Sequence, residues 1–214
     1  MNIVGPDALI FGVDDVEACK QFLLDYGLDD AGNGRFEALD GTAVIIAERD
    51  DRSLPPALET GSMLRKTVYG VADQEALDAI AEELNKDREV SKLDDGSLET
   101  VDDLGFVLGF QVTVRKELSL SALKTNLPGS SDQRPINDVA VNTEAQPKPV
   151  SLSHVVYFVP DFAKGEAFYT ERLGFVTTDR FTNVGPFMRP AGTQDHHTMF
   201  MIQTPPHMQG CEHF

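Results

Sequence analysis

Histidine is scarce in this chain, with five among 214 residues. A neutral imidazole binds transition metals, and its titration near neutrality suits it to proton transfer. His154 opens the apolar run His154-Val155-Val156-Tyr157-Phe158-Val159. His213 sits in Cys211-Glu212-His213-Phe214, a segment that echoes Leu152-Ser153-His154-Val155. Asp195-His196-His197-Thr198 supplies a pair. Neighbours along a strand face opposite sides, so only one of these two can look into a pocket. His207 lies in Pro205-Pro206-His207-Met208 and reads as a loop residue without a role. Two imidazoles alone hold a metal weakly, so such a site needs a further donor.

The elements that would position these residues form a repeat. Three segments share a short apolar strand, a turn and a helix: Ala8 to Asp15 then Val16 to Leu24, Lys66 to Asp73 then Gln74 to Leu84, and His154 to Asp161 then Phe162 to Leu173. In each, an aromatic residue stands two places before a valine (Val13, Val71, Val159) and an Asp two places after it. That Asp can accept a bond from a free N–H of the helix that follows. Aligning the valines puts Ala8, Lys66 and His154 in register. The step from His154 to His213 nearly equals the step from Ala8 to Lys66, so a fourth unit is expected to begin at His213.

Apolar strands follow each helix: Arg35 to Leu39 and Thr42 to Glu48, joined by the hairpin turn Asp40-Gly41; Ser97 to Val101 and Phe106 to Val114; Phe175 to Phe181, Gly185 to Arg189 and His197 to Gln203. The expected fold class is α+β, with tandem βαβββ units forming curved mixed sheets. Residues 1–115 are read as an N-terminal domain of two units without metal ligands. Residues 116–150, rich in Ser, Pro, Asn and Gln, are read as a linker. Residues 151–214 are read as the first half of a metal-binding C-terminal domain, incomplete in this chain.

Composition narrows the classes. A hydrophobic fraction of 41% supports a core in one large domain or two small ones. The formal net charge of −17 repels phosphates and argues against nucleic acid and anionic membrane as partners. Cys19 and Cys211 lack any C-x-x-C spacing, so neither a zinc knuckle nor a redox pair is indicated. The first residues lack a basic region and a signal-length apolar run, and no segment reaches the ~18 apolar residues of a membrane span. A cytoplasmic protein is expected.

Phe168-Tyr169-Thr170-Glu171-Arg172-Leu173-Gly174-Phe175 resembles the helix-to-strand signature of the glyoxalase, bleomycin-resistance and extradiol-dioxygenase superfamily, the vicinal-oxygen-chelate class. Gly174 would end the helix in the left-handed conformation. Phe22-Leu23-Leu24-Asp25-Tyr26-Gly27-Leu28 echoes it in the first unit. The arrangement is most similar to two-domain extradiol catechol dioxygenases, whose N-terminal domain lacks metal ligands. Ala8 and Lys66 fit that lack.

The resemblance implies Fe(II), with Mn(II) or Zn(II) as alternatives, bound by His154 and His213 together with a Glu expected beyond residue 214. It implies His197 as the catalytic acid–base group, leaving His196 facing solvent. A small aromatic catechol and O₂ are the implied substrates, with a homo-oligomer as the expected assembly. Phe187 and Met188 could wall an aromatic ring, with Arg189 or Arg180 near an anionic group, although core packing and solvated arginines are the plainer reading. Gln203 stands where glyoxalase-like relatives occasionally place a metal ligand, but a strand-end polar residue is the plainer reading; Glu48 and Gln111 fall at similar places and read as structural. Two other readings stay open, a glyoxalase-type metal-dependent isomerase or lyase and a non-catalytic small-molecule binding module. By itself the chain is expected to bind iron poorly and to self-associate through its third unit.

Overall fold

The computed structural model describes residues 1–121, 124–139 and 143–214. In the first unit, β1 (Ile3–Val13) is followed by α1 (Val16–Tyr26), β2 (Asp29–Gly32), β3 (Arg35–Glu37) and β4 (Ala43–Glu48). The second has β5 (Leu64–Val71), α2 (Gln74–Leu84), β6 (Ser91–Lys92), β7 (Leu98–Val101) and β8 (Val107–Val112). These strands make one eight-stranded sheet, ordered β2-β3-β4-β1-β5-β8-β7-β6. The third unit has β9 (Val155–Val159), α3 (Phe162–Ala167), β10 (Phe175–Phe181), β11 (Gly185–Pro190) and β12 (Met199–Gln203). With β13 (Gly210–His213) it makes a five-stranded sheet, ordered β10-β11-β12-β9-β13. The α+β class and the βαβββ repeat are as the sequence implies.

The local chemistry explains the helix boundaries. Asp15, Asp73 and Asp161 cap the three helices, accepting from Ala18 N, Ala76 N and Lys164 N at 2.9, 2.8 and 3.0 Å. α1 ends at Gly27, whose φ of 105° suits glycine, and Gly174 has φ 72° after a π-helical turn over Phe168–Arg172. Two short strands, β2 and β6, carry no apolar alternation and are not legible as strands in the sequence. β12 begins at Met199 rather than His197, although Thr198 N and O already pair across to Met188 and Val155 as the chain enters the strand.

One core serves both sheets. Tyr69, Leu108 and Phe110 from the first pack with Tyr157, Tyr169, Phe175 and Met199 from the third unit. The ring of Tyr69 lies edge-on to Tyr169 and Phe175, at 6.3 and 5.8 Å between centroids. Thr67 Oγ1 and Tyr157 OH share a buried hydrogen bond of 2.6 Å. Arg172 adds bonds of 2.7 Å to both Glu83 and Asp87. Each buried aromatic contributes roughly 1.5–3 kcal/mol through removal from water. Met199 and Met201 are therefore covered by the first sheet rather than left exposed.

Candidate metal centre

The two sheets repeat one construction. β1 pairs β5 antiparallel with Ile10 opposite Lys66 and Phe11 opposite Leu64, so Arg65 is an extra, bulged residue. β9 pairs β13 antiparallel with Val156 opposite His213 and Tyr157 opposite Cys211, so Glu212 is bulged in the same place. Residues two apart in a regular strand share a face. The bulge breaks that rule and re-aims the side chain beyond it. Cys211 thus packs against the core while His213 turns to the other face, as Leu64 and Lys66 do in the first sheet. On that face Lys66 pairs with Glu99 at 2.7 Å, where the second sheet has imidazoles.

Three histidines meet there. The ring centroid of His154 lies 5.2 Å from that of His197, nearly parallel, and 5.3 Å from that of His213, at 70°. His154 has its pKa lowered by burial first and by the charges of His197 and His213 second, which favours the neutral form that ligates metal. His197 is lowered likewise, again by burial first. The Glu212 carboxylate bonds His213 Nδ1, which leaves Nε2 as the free nitrogen of that ring.

A wall of aromatic rings continues from His197. Phe187 lies 4.9 Å from His197 and stacks on Phe200 at 4.0 Å and 8°. Phe181, 60% exposed, packs edge-on against both phenylalanines. A cavity of about 200 Å³, lined in part by Ala38, Val44, His154 and Phe214, adjoins the histidines on the side of the first sheet. It is smaller than the ~300 Å³ at which drug-sized sites begin, but large enough to admit a single aromatic ring.

The backbone leading into His154 is strapped to the first sheet. Leu39 N and Asp40 N donate to the carbonyls of Pro149 and Val150 at 3.1 and 3.0 Å. Leu152 N donates to Thr42 Oγ1 at 2.6 Å, and Arg115 donates to Leu152 O at 3.0 Å while lying 3.5 Å from the buried Asp7. Thr42 and His197 occupy equivalent places, since Val44 and Met199 pair with the equivalent Leu9 and Val155. Apart from Asp40, read in the sequence only as part of a hairpin turn, none of these strapping residues is flagged by a sequence motif.

Several residues weighed for the site take structural roles. Gln203 spends both ends of its amide locally: Nε2 donates to Pro160 O and Oε1 accepts from Phe162 N, so it anchors the start of α3. Strand register makes Val112, not Gln111, the counterpart of Glu48 and Gln203. Met188 points into the core, Arg180 pairs with Glu166, and Arg189 bonds the carbonyls of Pro190, Ala191 and Thr193. Of the residues suggested as a substrate wall, Phe187 alone faces the histidines.

The residues fit a metal in part. The rings of His154 and His213 lie 5.3 Å apart between centroids. Among the described residues, however, no group of three or more His, Cys, Asp or Glu is disposed to hold a metal. The pair is thus an incomplete donor set. Among the described residues no helix is long and apolar enough to cross a membrane.

Similarity to known proteins follows the same lines. The chain is similar to the Mn(II)-bound glyoxalase from Novosphingobium aromaticivorans, with TM-score 0.65 and 19% identity over 95% of this chain and 63% of that one. It is similar to the 2,3-dioxygenase LapB from Pseudomonas sp. KL28, with TM-score 0.64 and 17% identity over 96% of this chain and 72% of that one. It is also similar to the 2,2',3-trihydroxybiphenyl 1,2-dioxygenase from Sphingomonas wittichii strain RW1, with TM-score 0.62 and 21% identity over 97% and 71%. This chain therefore spans less than two thirds of the glyoxalase and under three quarters of the two dioxygenases. No curated protein matches it in sequence. Residues 151–214 match the family model of the Glyoxalase/Bleomycin resistance protein/Dioxygenase superfamily, and the chain shares its fold with the glyoxalase and the two dioxygenases.

Proposed function

We propose that this chain carries the imidazole half of a divalent-metal centre, with Fe(II) as the metal and a catechol as the substrate of an O₂-dependent ring cleavage. The observation that supports this reading most is the meeting of His154, His197 and His213 at one end of an aromatic wall. His154 and His213 would hold the ion, with the remaining donor coming from outside the described residues. Fe(II), when bound, would supply electron transfer between the catechol and O₂. Phe187 and Phe200 offer a flat apolar face for the aromatic ring. The Phe187 edge and the His154 ring fix the plane of His197. Its imidazole can accept a proton from a catechol hydroxyl and return it to the ring-opened product.

Anaerobic loading with Fe(II), followed by O₂ uptake with a panel of catechols, tests the proposal. Iron binding should disappear in His154→Ala and in His213→Ala. Binding that survives both substitutions would sink the metal reading. Likeness to a Mn(II)-bound glyoxalase supports a second reading, isomerisation on the same histidines. Metal bound at His154 and His213 with no O₂ uptake, together with Mn(II)-dependent isomerisation of a hemithioacetal, would favour it. Metal-independent small-molecule binding without turnover would leave a binding module.

A further inference from the structure

The pair of neighbouring histidines forms more than one functional imidazole and one spectator. His196 Nδ1 and His197 Nδ1 are 3.0 Å apart. Two imidazole nitrogens at that distance bond only if one carries the proton and the other a lone pair. The far nitrogen of His196, Nε2, lies 3.9 Å from Asp179 Oδ2. Asp179 is itself oriented: its Oδ1 accepts from Arg180 N at 2.7 Å, turning Oδ2 outward. It stands on β10 directly across from Phe187 of β11, at a register shift in that ladder. The Phe187 ring touches both imidazoles, at 6.0 and 4.9 Å between centroids. One strand, β10, and the turn that leads from β11 into β12 thus contribute to one row, Asp179, His196, His197.

We propose that Asp179 and His196 are positioning residues that set the tautomer of His197, on the reading that His197 is the proton-transfer group of the site above. The argument follows the rule that the bond made by one ring nitrogen fixes the state of the other. The Asp179 carboxylate favours the proton of neutral His196 on Nε2. His196 Nδ1 then holds a lone pair. His197 must donate from its own Nδ1, so its Nε2 is the free base. A proton taken up at His197 Nε2 leaves an imidazolium whose Nδ1–H remains bonded to His196. The other charged or titratable groups nearby are Asp195, His154 and His213. Without His196 the His197 ring would return to the Nε2–H form that an isolated neutral side chain prefers, and the base would be lost from that edge.

The test needs neither metal nor activity. Ring ¹⁵N–¹H correlations on the uniformly ¹⁵N-labelled full chain, at about pH 8 where histidines are neutral, report the tautomer of each of the five imidazoles. The wild type should show His197 as Nδ1–H. His196→Ala should convert it to Nε2–H. His196→Asn, whose Oδ1 can take the place of the lost acceptor, should retain Nδ1–H. Asp179→Asn should reduce the Nδ1–H share. The His196 side chain is 60% exposed, so these substitutions leave the core untouched. Wild-type His197 found mainly as Nε2–H, or a tautomer indifferent to His196→Ala, would overturn the proposal. The Fe(II) and O₂ assays succeed or fail independently of this measurement, so the two readings are separable.

Discussion

In the first sheet the strand partner of Ile10 is Lys66; in the second the partner of Val156 is His213. The hairpin glycines repeat as well. A Cβ on Gly34 would come within 2.2 Å of Ile46 O, and one on Gly185 within 1.8 Å of Met201 O. The backbone is therefore one construction used twice, down to the bulge and the turn. The difference lies in what stands on it. The first sheet carries Ala8, Thr42 and a Lys66–Glu99 ion pair where the second carries His154, His197 and His213. Backbone geometry and chemical capacity are thus set by separate residues, and the fold alone does not specify a site.

The comparison is most severely tested at the shared glycines. Gly34→Ala and Gly185→Ala should each cost about 3 kcal/mol or more, since a Cβ at such distances must displace backbone. Chemical denaturation checks this, and tolerance of either change would mean that the two hairpins are not equivalent.

The join between the sheets gives the next effect. Asp102 is buried among Leu104 N, Phe106 N and the Tyr169 hydroxyl, and burial raises its pKa to about 6 despite those bonds. The folded state thus binds a proton that the unfolded chain, with an ordinary carboxylate near 3.9, releases. Its contribution is fully present below about pH 4 and is lost as pH rises through about 6. Asp102→Asn keeps an acceptor for the two amides and removes the titration. The variant should match wild type near pH 4 and exceed it by on the order of 3 kcal/mol at pH 8. Thermal unfolding of both proteins across that range decides it, and parallel curves would show that Asp102 is not the group responsible.

Metal binding sharpens the contrast itself. His213→Ala should weaken Fe(II) or Co(II) binding about 100-fold or more, whereas Lys66→Ala at the matching place in the first sheet should leave it unchanged. Equal loss in both variants, measured by calorimetric titration, would place the ion elsewhere. The smallest effect belongs to Lys66→Met, which removes a partly exposed ion pair and should cost about 1 kcal/mol or less by denaturant midpoint.

Much of this architecture is legible in the sequence because its signals are local. Asp15, Asp73 and Asp161 announce helix starts, Gly27 and Gly174 announce ends, and the spacing of the three valines carries the repeat. The spacing of His154 and His213 anticipates their common register, because the bulge at Glu212 has its counterpart at Arg65 and cancels in the comparison. What the sequence hides depends on partners distant along the chain. The Asp179–His196 approach crosses two hairpins, and the strap of residues 149–152 depends on Asp7, Asp40, Thr42 and Arg115 meeting from three segments. Strand periodicity assigns His196 to solvent and is right about its exposure, but it is blind to the bond with His197.

The core that Tyr69, Tyr157 and Tyr169 share has a thermodynamic meaning. Pulling the sheets apart would strand the Thr67–Tyr157 bond, bare a layer of aromatic rings to water and strip Arg172 of both carboxylates. Neither sheet can then reach a stable folded state while the other is melted, so heat should be absorbed in one peak rather than two. The sheet that bears the histidines and the sheet that does not should therefore melt as a single cooperative unit, with the first sheet helping to keep the imidazoles in register at working temperature.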